Sequence, residues 1–182
     1  MTSVVRSLVR TTLCGAVLSC LLALGGAAHA DALDEGQAAI RRKDYAVAVK
    51  LLEPLARNGH AVAQLRLGEL YYHGHGVAEN NDAALTWFER AARQGQAEAQ
   101  VHLGNMYAYG LADPGNDRDP ARLAAQWYFE AARQGHANAQ YSLGILFLTG
   151  TGVIQDAQEA ERWIRKAAEQ GHADAGLYLK GR

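Results

Sequence analysis

The phrase Gly-x-Ala-x-Ala opens at Gly59, Gly95, Gly135 and Gly171, at intervals of 36, 40 and 36 residues. Tryptophan keeps the same clock at Trp87, Trp127 and Trp163. So do the pairs Ala91-Ala92, Ala131-Ala132 and Ala167-Ala168. A period of this length means that one supersecondary unit is copied, and that each copy buries its apolar face only by stacking on its neighbours.

Each unit reads as two helices. The first spans about Ala61 to His73, with Ala63, Leu67, Leu70 and Tyr71 on one face. It stops at Gly74 and Gly76, residues able to take positive φ. The second starts near the capping residues Asn81-Asp82, carries Ala84, Trp87, Phe88, Ala91 and Ala92, and ends at Gly95. Units therefore cover 59–94, 95–134 and 135–170, the last with "TGTGV" as its turn and Asp156 near its second helix. The middle copy has four extra residues, with Ala112 where a second turn glycine is expected. Its inserted loop runs from Gly110 to Asp119, after which Asp119-Pro120 reads as an N-cap and first helical position. Residues 31–58 fit a degenerate first pair, with Leu51 and Leu52 in the places of Trp87 and Phe88 and a kink expected at Pro54. Residues 171–182 supply only a first helix, and Lys180 stands where Gly68 would be.

Gly68, Gly104 and Gly144 interrupt the first helices at one position. A mid-helix glycine costs about 1 kcal/mol relative to alanine, so its repetition implies close helix packing, here expected against the tryptophans and alanine pairs. Nothing in its context resembles a phosphate-binding Gly-x-Gly-x-x-Gly.

The N-terminal 30 residues belong to another class of sequence. Arg6 and Arg10 precede the apolar stretch Leu13–Leu24, and Ala28-His29-Ala30 has the small-x-small form of a cleavage site. This is the pattern of an export signal cut after Ala30; the apolar stretch is short for a membrane span. "VLSC" at Cys20 leaves lipidation as the alternative. Cleavage removes both cysteines, Cys14 and Cys20, and leaves 16 Lys and Arg against 19 Asp and Glu, a charge of −3. That balance argues against nucleic-acid binding. With no thiol, the repeats must be held by packing alone.

The set Ala61, Ala63, Gln64, Leu67, Gly68, Tyr71, Gly74, Gly76, Val77, Asp82, Trp87, Ala91 and Ala92 resembles the Sel1-like repeat, a relative of the tetratricopeptide repeat. The resemblance covers about residues 45–180. It implies an all-α, right-handed α-solenoid whose curved surface binds partners, without a cofactor. In bacterial envelopes it implies adaptors and regulators of exopolysaccharide, flagellar, secretion or host-contact systems. Some cysteine-rich relatives are linked to β-lactam binding, but this chain has neither their cysteine pairs nor a Ser-x-x-Lys.

Residue inventory speaks against an enzyme. After residue 30 there is one serine, Ser142, and no nucleophile or metalloprotease motif. His60, His136 and His172 share one repeat position and read as surface residues near helix starts. His73 and His75 alone make no metal site, and would need His102, Glu69 or a second chain to complete one.

Copies differ most at Val62/Glu98/Asn138, Arg66/His102/Ser142, Glu69/Asn105/Ile145 and His73/Tyr109/Thr149. Steps of four, three and four place these on one helix face, which lines the concave wall in solenoids of this kind. Arg66, Glu69, Tyr72, His73, His102, Asn105, Tyr109 and Ile145 are the expected partner-binding residues. The uncapped end around Leu177, Tyr178 and Leu179 and the 110–119 loop are further candidate surfaces. The expected function is a periplasmic, non-catalytic protein-binding scaffold with no membrane span after cleavage; the alternative is a binder of cell-wall or envelope polysaccharide.

Overall fold

The computed structural model describes residues 31–115 and 118–181. The export-signal stretch, with Cys14 and Cys20, lies outside the described residues. Helices among those described are α1 (31–41), α2 (Tyr45–Arg57), α3 (Ala61–Tyr72), α4 (Asn81–Arg93), α5 (Ala97–Ala108), α6 (Pro120–Arg133), α7 (Ala137–Thr149), α8 (Ala157–Glu169) and α9 (Ala173–Lys180), and no strand occurs among them. Each helix packs on the ones before and after it in sequence, so the molecule is an α-solenoid of stacked helix pairs. No described helix is long and apolar enough to cross a membrane.

Local chemistry sets the boundaries. Asn80, Asp119 and Asp156 cap α4, α6 and α8, each accepting a backbone N–H through its side chain. The cap of α4 is one residue earlier than Asn81-Asp82, because Asn80 is the residue in extended backbone, with φ −154° and ψ 102°. His60 and His172 are also N-caps: their Nδ1 atoms accept from Ala63 and Ala175 N–H at 3.4 and 3.3 Å. They are half-buried parts of the frame rather than surface decoration. Helix α2 runs through Pro54 to Arg57; the proline sits in the last turn, where only one ladder bond is lost.

The helical glycines act as notches, but the residue they admit differs from the expectation. A Cβ on Gly68 would lie 2.7 Å from the Phe88 ring, one on Gly104 2.5 Å from Tyr128, and one on Gly144 2.5 Å from Ile164. The degenerate first pair repeats the device, with Leu52 2.7 Å from such an atom on Gly36. The occupant is thus the residue after each tryptophan. Trp87 instead packs back on the preceding pair's core, and its ring is covered by Arg90 at 4.7 Å; Lys166 covers Trp163 at 4.3 Å.

Buried glutamines tie the pairs together. Gln64 Nε2 donates to the Ala56 carbonyl at 3.0 Å, and its Oε1 accepts from Gln94 Nε2 at 2.7 Å. Gln100 links the Ala92 carbonyl to Gln134, and Gln140 links the Ala132 carbonyl to Gln170, in the same way. Helices α3, α5 and α7 therefore each bond both to the second helix before them and to the C-cap of the one after them.

The turn glycine Gly76 has φ +74°, and its missing side chain lets the turn lie against the Tyr45 backbone at the start of α2. In the middle unit Ala112 stands at that position, and its methyl group is buried in the central core.

Gly104→Ala is expected to destabilise the fold by about 1–3 kcal/mol, because the added methyl overlaps the Tyr128 ring and outweighs the gain in helix propensity. Gly176→Ala is expected to stabilise it by about 0.5–1 kcal/mol, because that helical glycine faces open space. Urea unfolding of both variants checks the opposite signs.

Candidate functional site

The first helices α3, α5 and α7 bring their copy-specific residues to one face. At its centre, Arg66 bridges two units. Its Nη1 donates to both carboxylate oxygens of Glu69 at 2.8 and 2.9 Å, and its Nη2 reaches Glu98 Oε2 at 3.3 Å. His102 Nε2 lies 3.5 Å from Glu69 Oε1. The His102 ring is stacked on Phe88, with centroids 4.4 Å apart and planes at 3°. Tyr72 tilts against both His102 and Phe88, at 6.3 and 6.4 Å.

Arg66, Glu69, Tyr72 and His102 thus meet in one cluster. Glu98 completes it, a residue visible only as one member of a variable position. Asn105 is engaged elsewhere, accepting the Tyr128 hydroxyl at 2.7 Å. His73 and Tyr109 are the C-caps of α3 and α5 and form an exposed rim, with Tyr109 73 % exposed. Ile145 does not join them. It is half-buried against the Ile164, Ala167 and Ala175 cluster, where its apolar side chain is removed from water. His75 stacks on Tyr45 at 4.2 Å, with His73 5.5 Å away.

Two site residues come from second helices and were not legible as such. Phe88 and Tyr128 pass through the glycine notches and reach the first-helix face from behind. The notch glycines carried the signal, but adjacent tryptophans were the more conspicuous candidates to fill them.

Electrostatics match this geometry. Burial pushes the Glu69 carboxyl up, yet hydrogen bonds from His102 and Arg66 and the guanidinium charge outweigh it, leaving its pKa below the ordinary carboxylate value. Burial raises the Tyr128 phenol to about 12, helped by Tyr109 and opposed by Ser142. His136, the N-cap of α7, is pushed down by burial and by His102, against the pull of Glu98. Its Nδ1 is buried without a partner among the described residues.

Glu69, Glu98 and His102 could converge on a cation, since their ligand atoms lie within 4.8 Å of one another. The Arg66 guanidinium already pairs with both carboxylates and supplies the cluster with its own cation. What the face offers is a rigid polar centre with an exposed aromatic rim, suited to recognition.

Four consecutive matches to the Sel1 repeat model cover residues 19–60, 61–96, 97–136 and 137–172. The first begins inside the stretch read as an export signal. Among solved structures, a protective antigen of uropathogenic Escherichia coli strains displaying an SLR fold superposes with a TM-score of 0.74 at 30 % identity, over 84 % of this chain and 34 % of the antigen. The chain therefore spans about a third of that protein. A Sel1 repeat protein from Oxalobacter formigenes gives 0.64 at 38 % identity, over 72 % of this chain and 96 % of its own. Helicobacter pylori cysteine rich protein B shares the fold, with a TM-score of 0.51 at 20 % identity over 79 % and 94 % of the two chains. No curated protein sequence matches the chain.

Because the folded state holds Glu69 ionised more readily than the unfolded chain does, its contribution is full above the unfolded carboxylate pKa. It is lost as pH falls through the lower folded value. Urea midpoints measured from pH 7 to pH 3 are expected to drop more for the wild type than for Glu69→Gln. Tyr128→Phe is expected to cost about 1–2 kcal/mol at neutral pH, because Asn105 loses a buried donor; the same urea titration reads it.

Proposed function

The chain belongs to the Sel1 repeat family, and on that premise we propose that it acts as a non-catalytic adaptor or regulator in the bacterial cell envelope. Sel1 repeats commonly mediate protein–protein interaction, and the family is generally non-catalytic. The partner lies along the concave face of the solenoid, across α3, α5 and α7. Export depends on residues 1–30, and the periplasm is the working compartment; Arg6, Arg10, the apolar stretch and Ala28-His29-Ala30 support that assignment.

One observation carries the binding-face assignment. A fixed framework of glycine notches and glutamine links presents side chains that change from copy to copy, and the exposed ones include Tyr109 and His73 beside a locked charge cluster. Tyrosine and arginine are enriched among residues that dominate binding energy. Rigid support lowers the entropy lost on association. The polysaccharide alternative is left with Tyr109 as its sugar platform, since Tyr72 is held against Phe88 and His102 instead of standing free.

Capture from crosslinked cell envelope by the wild type, beside a His73→Ala/Tyr109→Ala variant, tests the assignment. Tyr72 is left intact because it packs on the core. One protein is expected to be recovered by the wild type and reduced at least about tenfold by the variant, as for loss of a hot-spot side chain, with circular dichroism unchanged. Equal recovery by both would remove the concave face as the binding surface.

A further inference from the structure

Helix α9 is docked by one side only. Ala175 is fully buried against Ile164 and Ala167, with Tyr178 and Leu179 packed beside it. Among the described residues, its other side lacks the cover that equivalent helices have. Leu177 is 66 % exposed, whereas its counterpart Leu65 is 2 % exposed and Val101 and Tyr141 are half-buried. Ala168, beneath it, is half-exposed where Ala56, Ala92 and Ala132 are buried.

In the three complete units the cover comes from the start of the next first helix, as where His172 stacks on Tyr141 at 4.6 Å, and from the unit's own second helix, held by two devices: a residue seated in the glycine notch and a glutamine link. Helix α9 carries neither. Lys180 occupies the notch position and Gly176 the glutamine position. The seats used by Phe88, Tyr128 and Ile164 therefore have no counterpart at the same repeat positions of α9.

The charges on this face indicate what does cover it. Asp174 lies three residues before Leu177 and Lys180 three residues after it, and all three are exposed. If two α9 helices meet antiparallel about Leu177, each Asp174 faces Lys180 of the other copy. A parallel pairing sets like charges opposite one another. We propose that the open face of α9 is a self-association surface that pairs antiparallel with α9 of a second copy of this chain. Ala168, Ala173 and Gly176 leave room for close approach. One short helix and its flank bury less than a permanent interface requires, so the dimer is reversible and concentration-dependent. The first-helix face of each copy stays free.

Sedimentation velocity of the purified protein over a wide concentration range tests this. A monomer–dimer equilibrium is expected, with Leu177→Glu monomeric throughout. Asp174→Lys and Lys180→Asp alone are each expected to weaken the dimer at least about tenfold, through like charges brought together, and the double exchange to restore it. The same two residues also complement the α9 dipole, which the double exchange reverses; a purely local role therefore predicts a double variant worse than either single one. Because Leu177 is exposed, circular dichroism of Leu177→Glu should match the wild type. A wild type that stays monomeric, a dimer indifferent to Leu177→Glu, no restoration by the double exchange, or assemblies larger than dimers would each overturn the pairing.

Discussion

Helix pairs in this molecule depend on the absence of one methyl group. At Gly68, Gly104 and Gly144 a ring or branched side chain from the second helix occupies the space that a Cβ would fill. The contact draws the two helix backbones together and sets the angular position of every other residue on both. Interiors at crystal-like density tolerate no substitute of larger volume there. The helix-propensity cost of each glycine is offset by burial of Phe88, Tyr128 or Ile164.

That contact also connects core to surface. Phe88 crosses the notch and becomes the platform on which His102 stacks, and His102 in turn faces Glu69, which the guanidinium of Arg66 holds. Tyr128 crosses its own notch to hold Asn105. The charged cluster on the first-helix face is therefore ordered by hydrophobic packing behind it. Order along the array comes from the glutamines, whose buried bonds to Ala56, Ala92 and Ala132 carbonyls span neighbouring pairs. A glutamine with both ends satisfied inside a low-dielectric core is specific, since any slip leaves a buried carbonyl unpaired. The repeats need no disulfide to keep this register.

Much of the site was legible because helical spacing is a geometric rule. The steps from Arg66 to Glu69 to His73, and from His102 to Asn105 to Tyr109, put the right residues on one side of α3 and α5. The rule does not say what each residue meets on the neighbouring helices, and Ile145 belongs to the C-terminal core instead. It also cannot choose between adjacent residues. Trp87 and Phe88 stand about 100° apart around α4, and both are large enough to fill a notch. The recurrence of Gln94, Gln134 and Gln170 was equally present in the sequence, but a repeated polar residue at a helix end does not reveal whether its partner is water or a buried amide.

Sequence alone determined the unit: its period, its two helices, its turns and caps, and the need for stacked copies, because those follow from local backbone chemistry and from apolar spacing within about a dozen residues. Only the tertiary structure decided which side chain enters each glycine notch, which glutamines meet, and how Arg66 comes to hold Glu69 and Glu98 from two different units. Those outcomes depend on the rotation and separation of whole helices, and these are fixed by contacts between residues some thirty positions apart.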